Sequence, residues 1–229
     1  KDFTEVKWEG KNVLLFGSEG FGMREHTGKY ADFFVRIDMS KDIESLNISN
    51  SAAIVFHHLN YLKDKKNIIW TYLPYGPFKI YKSFRNWIKI FCLNKDPFFY
   101  AIYSKRLKQY CGMASYLRIK PNHGSIEVGH INYSPLLQNS AEGTETMYLM
   151  MKNAFENLGN RRYEWKCNNL NSSSKKAALR LGFKFEGVFR QMFIFKGRNR
   201  DSAWFSIIDK EWGKLRIGYR KFLKKNNFN

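Results

Sequence analysis

Apolar and polar positions alternate along three consecutive stretches, Phe98 to Ser104, Tyr110 to Ile119 and Ser125 to Asn132. A period of two predicts strands. A basic turn and then Pro121-Asn122-His123-Gly124 connect them, which predicts an antiparallel meander. The period then changes: Met147, Met150, Met151, Ala154, Phe155 and Leu158 recur at helical intervals, predicting a helix over about 144–158 that faces a sheet and closes at Gly159. Beyond it the pattern predicts a strand over Arg162 to Cys167, a helix over about 172–181 ended by Gly182, and a hairpin from Lys184 to Lys196 and Ala203 to Ile208. A terminal helix over 210–225 places Trp212, Leu215, Tyr219, Phe222 and Leu223 on one face. Upstream, Phe84, Trp87, Ile88 and Phe91 share a face of a predicted helix that follows the turn Pro74 to Pro77, and a further helix over about 51–62 is capped by Asn50 or Ser51.

The first fifty residues read as a loop-rich extension interrupted by Gly17, Gly20, Gly22 and Gly28, with Asn12 to Phe16 or Ile43 to Ile48 as a possible first strand. The remainder, 51–229, reads as a single α+β domain around one central mixed sheet.

Composition narrows the classes. The chain has 229 residues, 44% of them hydrophobic, which suits one large globular domain and excludes a purely disordered or fibrous chain. Its longest apolar stretches fall well short of the roughly 20 residues of a membrane span, so a soluble protein with no membrane partner is expected. Lys1 at the first position fits a chain that begins inside a longer product. Lys and Arg outnumber Asp and Glu by 39 to 20, a net charge of +19 that favours anionic partners: nucleic acid, acidic lipid or a phosphorylated cofactor. The abundance of Asn, Ile, Phe and Tyr offers a second origin for the lysines, drift on solvated faces in an AT-rich coding sequence. Cys92, Cys111 and Cys167 have neither disulfide-framework nor zinc spacing, which points to the cytoplasm or another reducing compartment.

Between Ser125 and Met151 a predicted strand runs through a loop into the start of a long helix. Free amides at a helix N-terminus and in a loop of small residues converge on anions, and the helix dipole adds attraction. Gln138, Asn139, Ser140, Ala141, Gly143 and Thr144 supply such a loop. A helix simply capped by Ser140 or Thr144 accounts for the same residues.

The next segment is more specific. Asn171-x-x-Ser174, then Ala178, Leu181-Gly182-Phe183 and Glu186-Gly187, resembles the closing motif of the GNAT superfamily of acyl-CoA N-acyltransferases, in its RimJ/RimL-like branch. Gln138-x-x-Ala141-x-Gly143 is similar to the superfamily's pyrophosphate loop, with Ala141 where Gly is more frequent. The stretches Trp70 to Phe78, Ile126 to Ile131, Arg161 to Cys167 and Lys196 to Asp201 match a RimJ/RimL-like subgroup in order, so the resemblance runs from about Trp70 to Trp212.

The resemblance implies a mixed, mostly antiparallel sheet of about six to seven strands flanked by helices. Two parallel strands, Glu127 to Asn132 and Tyr163 to Lys166, would splay to admit acetyl-CoA, the implied co-substrate. The pyrophosphate would rest on Gln138 to Thr144, Asn171 would meet the pantetheine or adjoining backbone, and Ser174 would lie near the thioester sulfur. Lys175, with Lys176, would approach the nucleotide phosphate, although a lysine pair on a helix is also an ordinary solvated face.

The implied reaction is direct attack of a neutral amine on the thioester, without metal or acyl-enzyme. It needs a base, an oxyanion donor and an acid for the thiolate. A backbone amide at a strand bulge near His130 or Ile131 is the expected oxyanion donor. Glu127, eleven residues before Gln138, has the spacing of the base in the histone-acetylating branch. His130, with an intrinsic pKa of about 6.5, is the alternative, and regular strand alternation sets the two on opposite faces unless a bulge intervenes. For each, a sheet residue held by a neighbouring side chain is the competing explanation. The place of the RimL-type base is taken by Phe193 and that of the frequent acid Tyr by Ala178, so neither role transfers; Ser174 stands where the RimL-type acid is proposed. An α-amine, with a pKa of about 7.7 to 8.0, is more easily used than a lysine near 10.4, so weak base machinery favours a peptide N-terminus or a small-molecule amine.

Other motifs carry less. Gly17-x-x-Gly20-x-Gly22 lacks the Lys-Ser or Lys-Thr of a phosphate loop and is read as a loop, and His57-His58 has no ligand partners nearby, so no metal is predicted. A non-catalytic acyl-CoA-binding or nucleic-acid-associated protein is the alternative class; the latter is possible on charge alone but is not favoured.

Overall fold

The computed structural model describes residues 29, 68–78 and 80–224. The two candidate first strands and the helix over 51–62 lie outside the described residues.

Six strands form one sheet: β1 (Phe98–Ser104), β2 (Gln109–Lys120), β3 (Ser125–Tyr133), β4 (Arg162–Asn168), β5 (Lys184–Phe195) and β6 (Arg198–Ile208). Their order is β1-β2-β3-β4-β6-β5, and every neighbouring pair is antiparallel except β3 and β4. The helices are α1 (Tyr81–Trp87), α2 (Ala141–Lys152), α3 (Ser172–Arg180) and α4 (Asp209–Phe222). This is the mixed, mostly antiparallel architecture anticipated from the sequence. The parallel pair exists because β3 and β4 are joined through α2, a crossover long enough to return the chain to the same end of the sheet.

Each helix begins on a local device. Ser140 caps α2, its Oγ accepting from the Gly143 amide at 3.0 Å, and Asn171 caps α3, its Oδ1 accepting from the Ser174 amide at 3.1 Å. Glu211 reaches back to the Ile208 amide at 3.1 Å to open α4. The methionine stripe of α2 continues into a turn of π-helix over Asn153–Asn157, so the predicted helix over 144–158 is one rod with a widened last turn. A similar π turn, Ile88–Cys92, extends α1.

One face of the sheet, with Tyr116, Ile126, Val128, Tyr163, Trp165, Phe205 and Ile207, packs into a buried core with Met147, Met151, Phe155, Leu181, Phe183, Trp212 and Tyr219. Polar tips are satisfied at its seams: the Tyr116 hydroxyl donates to the Met150 carbonyl at 2.6 Å and the Tyr219 hydroxyl to that of Leu181 at 2.7 Å. The opposite face is covered by an aromatic cluster in which Trp87 packs on Tyr75, Phe78, Phe84, Phe91 and Phe99.

The last hairpin departs from expectation. β6 begins at Arg198 and not at Ala203, and only Lys196 and Gly197, both with positive φ, turn the chain. The polar run Arg198 to Ser202 lacks the alternation that marks a strand, yet it pairs with β5.

Candidate active site

The parallel ladder between β3 and β4 runs from Ser125↔Arg162 to Val128↔Trp165 and stops. Beyond it β4 continues on β6 alone and β3 on β2 alone, so the two strands part. At the parting β3 bulges: Ser115 pairs with Gly129 and Met113 with Asn132, leaving an extra residue on β3, and His130 takes φ 50°. The bulge re-aims His130. Its ring packs against Phe99, whose partner Ser115 faces Gly129 and hence the Glu127 side of the sheet. Glu127 and His130 therefore share a face, which regular alternation would forbid.

Ile131, next along β3, lies past the end of the β3–β4 ladder. The loop that follows is an anion cradle in form. Gln138 turns its side-chain amide to the Tyr133 carbonyl at 2.9 Å and its backbone amide to Ser134, and Asn139 adopts φ 54°. The amides of Asn139, Ser140 and Ala141 have no acceptor among the described residues, and they precede the positive end of α2. Those free amides fit a pyrophosphate. Gly143 has a different role, because a Cβ there would sit 2.6 Å from the Leu137 carbonyl and 3.2 Å from the Tyr133 ring. Thr144 receives the Arg180 guanidinium on its hydroxyl at 3.1 Å, and Arg106 pairs with Glu142 at 2.6 Å, which holds that carboxyl below the usual range and offsets its charge at the rim. Neither arginine was singled out from the sequence. Arg180 could have been found as the residue that brings the end of one capped helix to the start of another.

On the core side of the gap, Ser174 at the first turn of α3 accepts from the Trp165 indole at 3.0 Å, and burial pushes up the nearby Cys167 thiol. Asn171 is engaged by the Ser174 amide and the Ser173 hydroxyl, and Lys175 donates to Asn169 at 3.2 Å. In this arrangement Asn171 shapes the helix terminus, and Lys175 is tied to a loop of its own neighbourhood.

On the other face the carboxylate of Glu127 is buried between two cations, Arg118 and Lys166, each at 2.7 Å. Lys166 also pairs with Glu164 at 2.7 Å, and Arg162 joins Glu164 to Glu186, so a ladder of alternating charge crosses β2, β3, β4 and β5. Burial raises the Glu127 pKa and the two cations pull it back, with the balance above the usual carboxylate value. Arg118 is aimed by its backbone: it has φ 49°, and the amides of Arg118 and Ile119 both donate to the exposed carboxylate of Asp96, at 2.9 and 3.0 Å. His130 accepts or donates one hydrogen bond with the Tyr75 hydroxyl at 3.1 Å, and burial among Tyr75, Phe91 and Phe99, together with the charges of Arg118 and Arg200, lowers its pKa to about 4. A neutral ring that resists protonation is a poor proton acceptor, so the geometry brings both candidates together and separates their chemistry.

The family model of the GNAT acetyltransferase domain matches residues 51–184. The chain belongs to the GNAT family. A solved GCN5-related N-acetyltransferase from Brucella melitensis is similar at 38% identity with a TM-score of 0.72, covering 75% of this chain and 77% of that one. A GNAT-family protein from Chromobacterium violaceum is similar at 39% identity with a TM-score of 0.66, covering 73% and 82%. A second family model, that of SpoU rRNA methylases, matches residues 1–57. There the chain is 35% identical over 54 residues to the 23S rRNA (guanosine-2'-O-)-methyltransferase RlmB of Pseudomonas aeruginosa, and it spans about a fifth of that protein's length, 22%. The glycines read as a loop fall in this segment, a likeness the sequence reasoning did not draw.

Within the GNAT domain, the strands part after Val128↔Trp165 and the free amides follow at the start of α2. Arg118 and Lys166 were the larger omission from the sequence reading. Their signal was parity: Lys166 shares the face of Glu164 on β4, and charged residues alternate there with the buried Tyr163, Trp165 and Cys167. Among the described residues no His, Cys, Asp or Glu grouping forms a metal site, and no helix is long and apolar enough to cross a membrane.

Proposed function

We propose that this GNAT-family chain moves an acetyl group from acetyl-CoA to a primary amine, by direct attack with both substrates bound, and that it falls in the RimJ/RimL-like branch whose motifs it carries. The observation that supports this best is the end of the β3–β4 ladder at Val128↔Trp165, on a strand that runs on into a loop with three unclaimed amides. Gln138 to Thr144 with Arg180 would hold the pyrophosphate, and Asn171, Ser174 and Lys175 would flank the pantetheine and nucleotide. Acetyl-CoA supplies the activated acyl group, so the protein needs only to deprotonate an amine, hold the carbonyl oxygen and return a proton to sulfur.

Glu127 takes the amine proton. It is buried, its pKa is raised, and Lys166 and Arg118 keep its position fixed. His130 shapes the pocket as a neutral ring, the bulge presents the His130 or Ile131 amide to the carbonyl oxygen, and the Ser174 hydroxyl donates toward the thiolate. Because the base stays a carboxylate, an already partly neutral α-amine suits it better than a lysine side chain. The three free cysteines suit the cytoplasm or another reducing compartment.

Calorimetry with acetyl-CoA tests the reading when repeated on Ala141→Asp. An aspartate in the first turn favours the helix N-terminus, so the fold stands while a phosphate is repelled. Affinity is expected to fall by about tenfold or more with no loss of thermal stability. Equal affinity in both proteins, or no binding by folded wild type, rejects the assignment.

A further inference from the structure

Resting on the acetyltransferase reading, the structure assigns an anion subsite to the acceptor side: we propose that Arg200, Ser202 and Trp204 receive a carboxylate carried by the amine substrate, which makes the acceptor an amino acid or a similar small zwitterion.

These three side chains stand at alternate positions of β6, on the face opposite the core residues Ala203, Phe205 and Ile207, and so about 7 Å apart along the strand. The Nε of Arg200, the Oγ of Ser202 and the indole Nε1 of Trp204 are all buried without a hydrogen-bond partner. Arginine and tryptophan nitrogens only donate, so these buried donors call for an acceptor, which a water or the oxygens of a bound anion would supply. The charge ladder agrees. Arg118, Lys166 and Arg162 each pair with a carboxylate, whereas Arg200 makes no ion pair among the described residues.

Arg200 is held in place without one. Its guanidinium lies 4.5 Å from the Phe195 ring centre and 5.7 Å from that of Phe193, whose ring is also 5.9 Å from Arg118. Trp204 is fixed between Phe189, at 4.4 Å, and the Lys166 ammonium, 3.8 Å from its ring. Rigid donors on an aromatic floor are what a carboxylate site needs. Because Lys166 touches both Trp204 and Glu127, the subsite adjoins the proposed base, and an amine directed at Glu127 would carry its carboxylate only a few bonds away. A polyamine or a lysine-rich peptide brings donors and positive charge, and would leave every one of these groups unmatched.

The test reads binding directly. Nitrogen-15 spectra follow the Trp204 indole, assigned with Trp204→Phe, and the Arg200 Nε during titration with N-acetylalanine, N-acetylphenylalanine, N-acetylglutamate and N-acetylhistidine, and with the α-carboxamide of each. At least one carboxylate is expected to shift both signals and to bind at least tenfold more tightly than its carboxamide. Arg200→Met should erase that gap, Arg200→Lys should restore part of it, and acetyl-CoA affinity should be unchanged in both. Equal binding of acids and carboxamides, or unmoved signals throughout, overturns the subsite while leaving the acetyltransferase reading intact. Carboxylate binding by a wild-type protein that ignores acetyl-CoA supports the subsite and rejects the acetyltransferase.

Discussion

The two faces of the sheet are built on different physics. Against α2, α3 and α4 the strands present rings, methionines and aliphatic chains whose value lies in filled volume, with only hydroxyl tips to satisfy. Against the aromatic cluster of α1 the same strands present Glu127, Glu164, Lys166, Arg200 and Ser202, groups whose value depends on who their partners are. The contrast separates folding from charge: the first face holds the domain together, and the second holds the ion pairs among which the proposed base lies.

The largest effect is expected on the second face. Glu127→Gln removes the proposed base and leaves Arg118 without its carboxylate while Lys166 keeps Glu164, so kcat should fall by about 10²- to 10⁴-fold, and a base-dependent limb of the pH profile should vanish. Acetyl-CoA affinity, measured separately, should hold. A variant that is merely less stable but turns over normally would return Glu127 to the structural role of a buried ion-pair partner. On the first face, Met151→Ala at a fully buried position should cost about 2 to 5 kcal/mol by urea unfolding while kcat at low temperature changes little. A large rate loss there would erase the division between the faces.

A smaller effect concerns His130, which belongs to the second face but behaves as core. Its pKa falls from 6.5 to about 4 on folding. The unfolded chain therefore binds the proton first, and the stability tied to the neutral ring is complete above pH 6.5 and is lost as pH falls toward 4. Between pH 7.5 and 5.5 the loss should be about 1 kcal/mol, and His130→Phe should flatten that part of the curve. Unfolding free energies at the two pH values decide it, and an unchanged slope in the variant would place the titrating group elsewhere.

The sequence made the first face legible and the second only in part. Periodicity located β1 to β4 and α2 to α4 within a few residues because burial against helices imposes period two on strands and period 3.6 on helices. It did not mark the start of β6, where Arg198 to Ser202 pair with β5 despite a polar run. Glu127 was proposed from spacing and Ser174 from motif. Their settings were not, because Arg118, Lys166 and Trp165 come from other strands and only sheet register brings them into contact. The bulge that turns His130 depends likewise on a register shift with β2 that no local pattern encodes.

Asp96 gives the second face an unusual freedom. It is exposed, stands before β1, and touches the site only through two backbone amides that orient Arg118. Residues that fill a core cannot change without disturbing their neighbours, and a base cannot change without ending the reaction. A solvent-exposed residue that steers one of the base's two counter-charges can vary with little harm to either. Loosening Arg118 through Asp96 would raise the Glu127 pKa further, because that guanidinium is one of the two charges that pull it down.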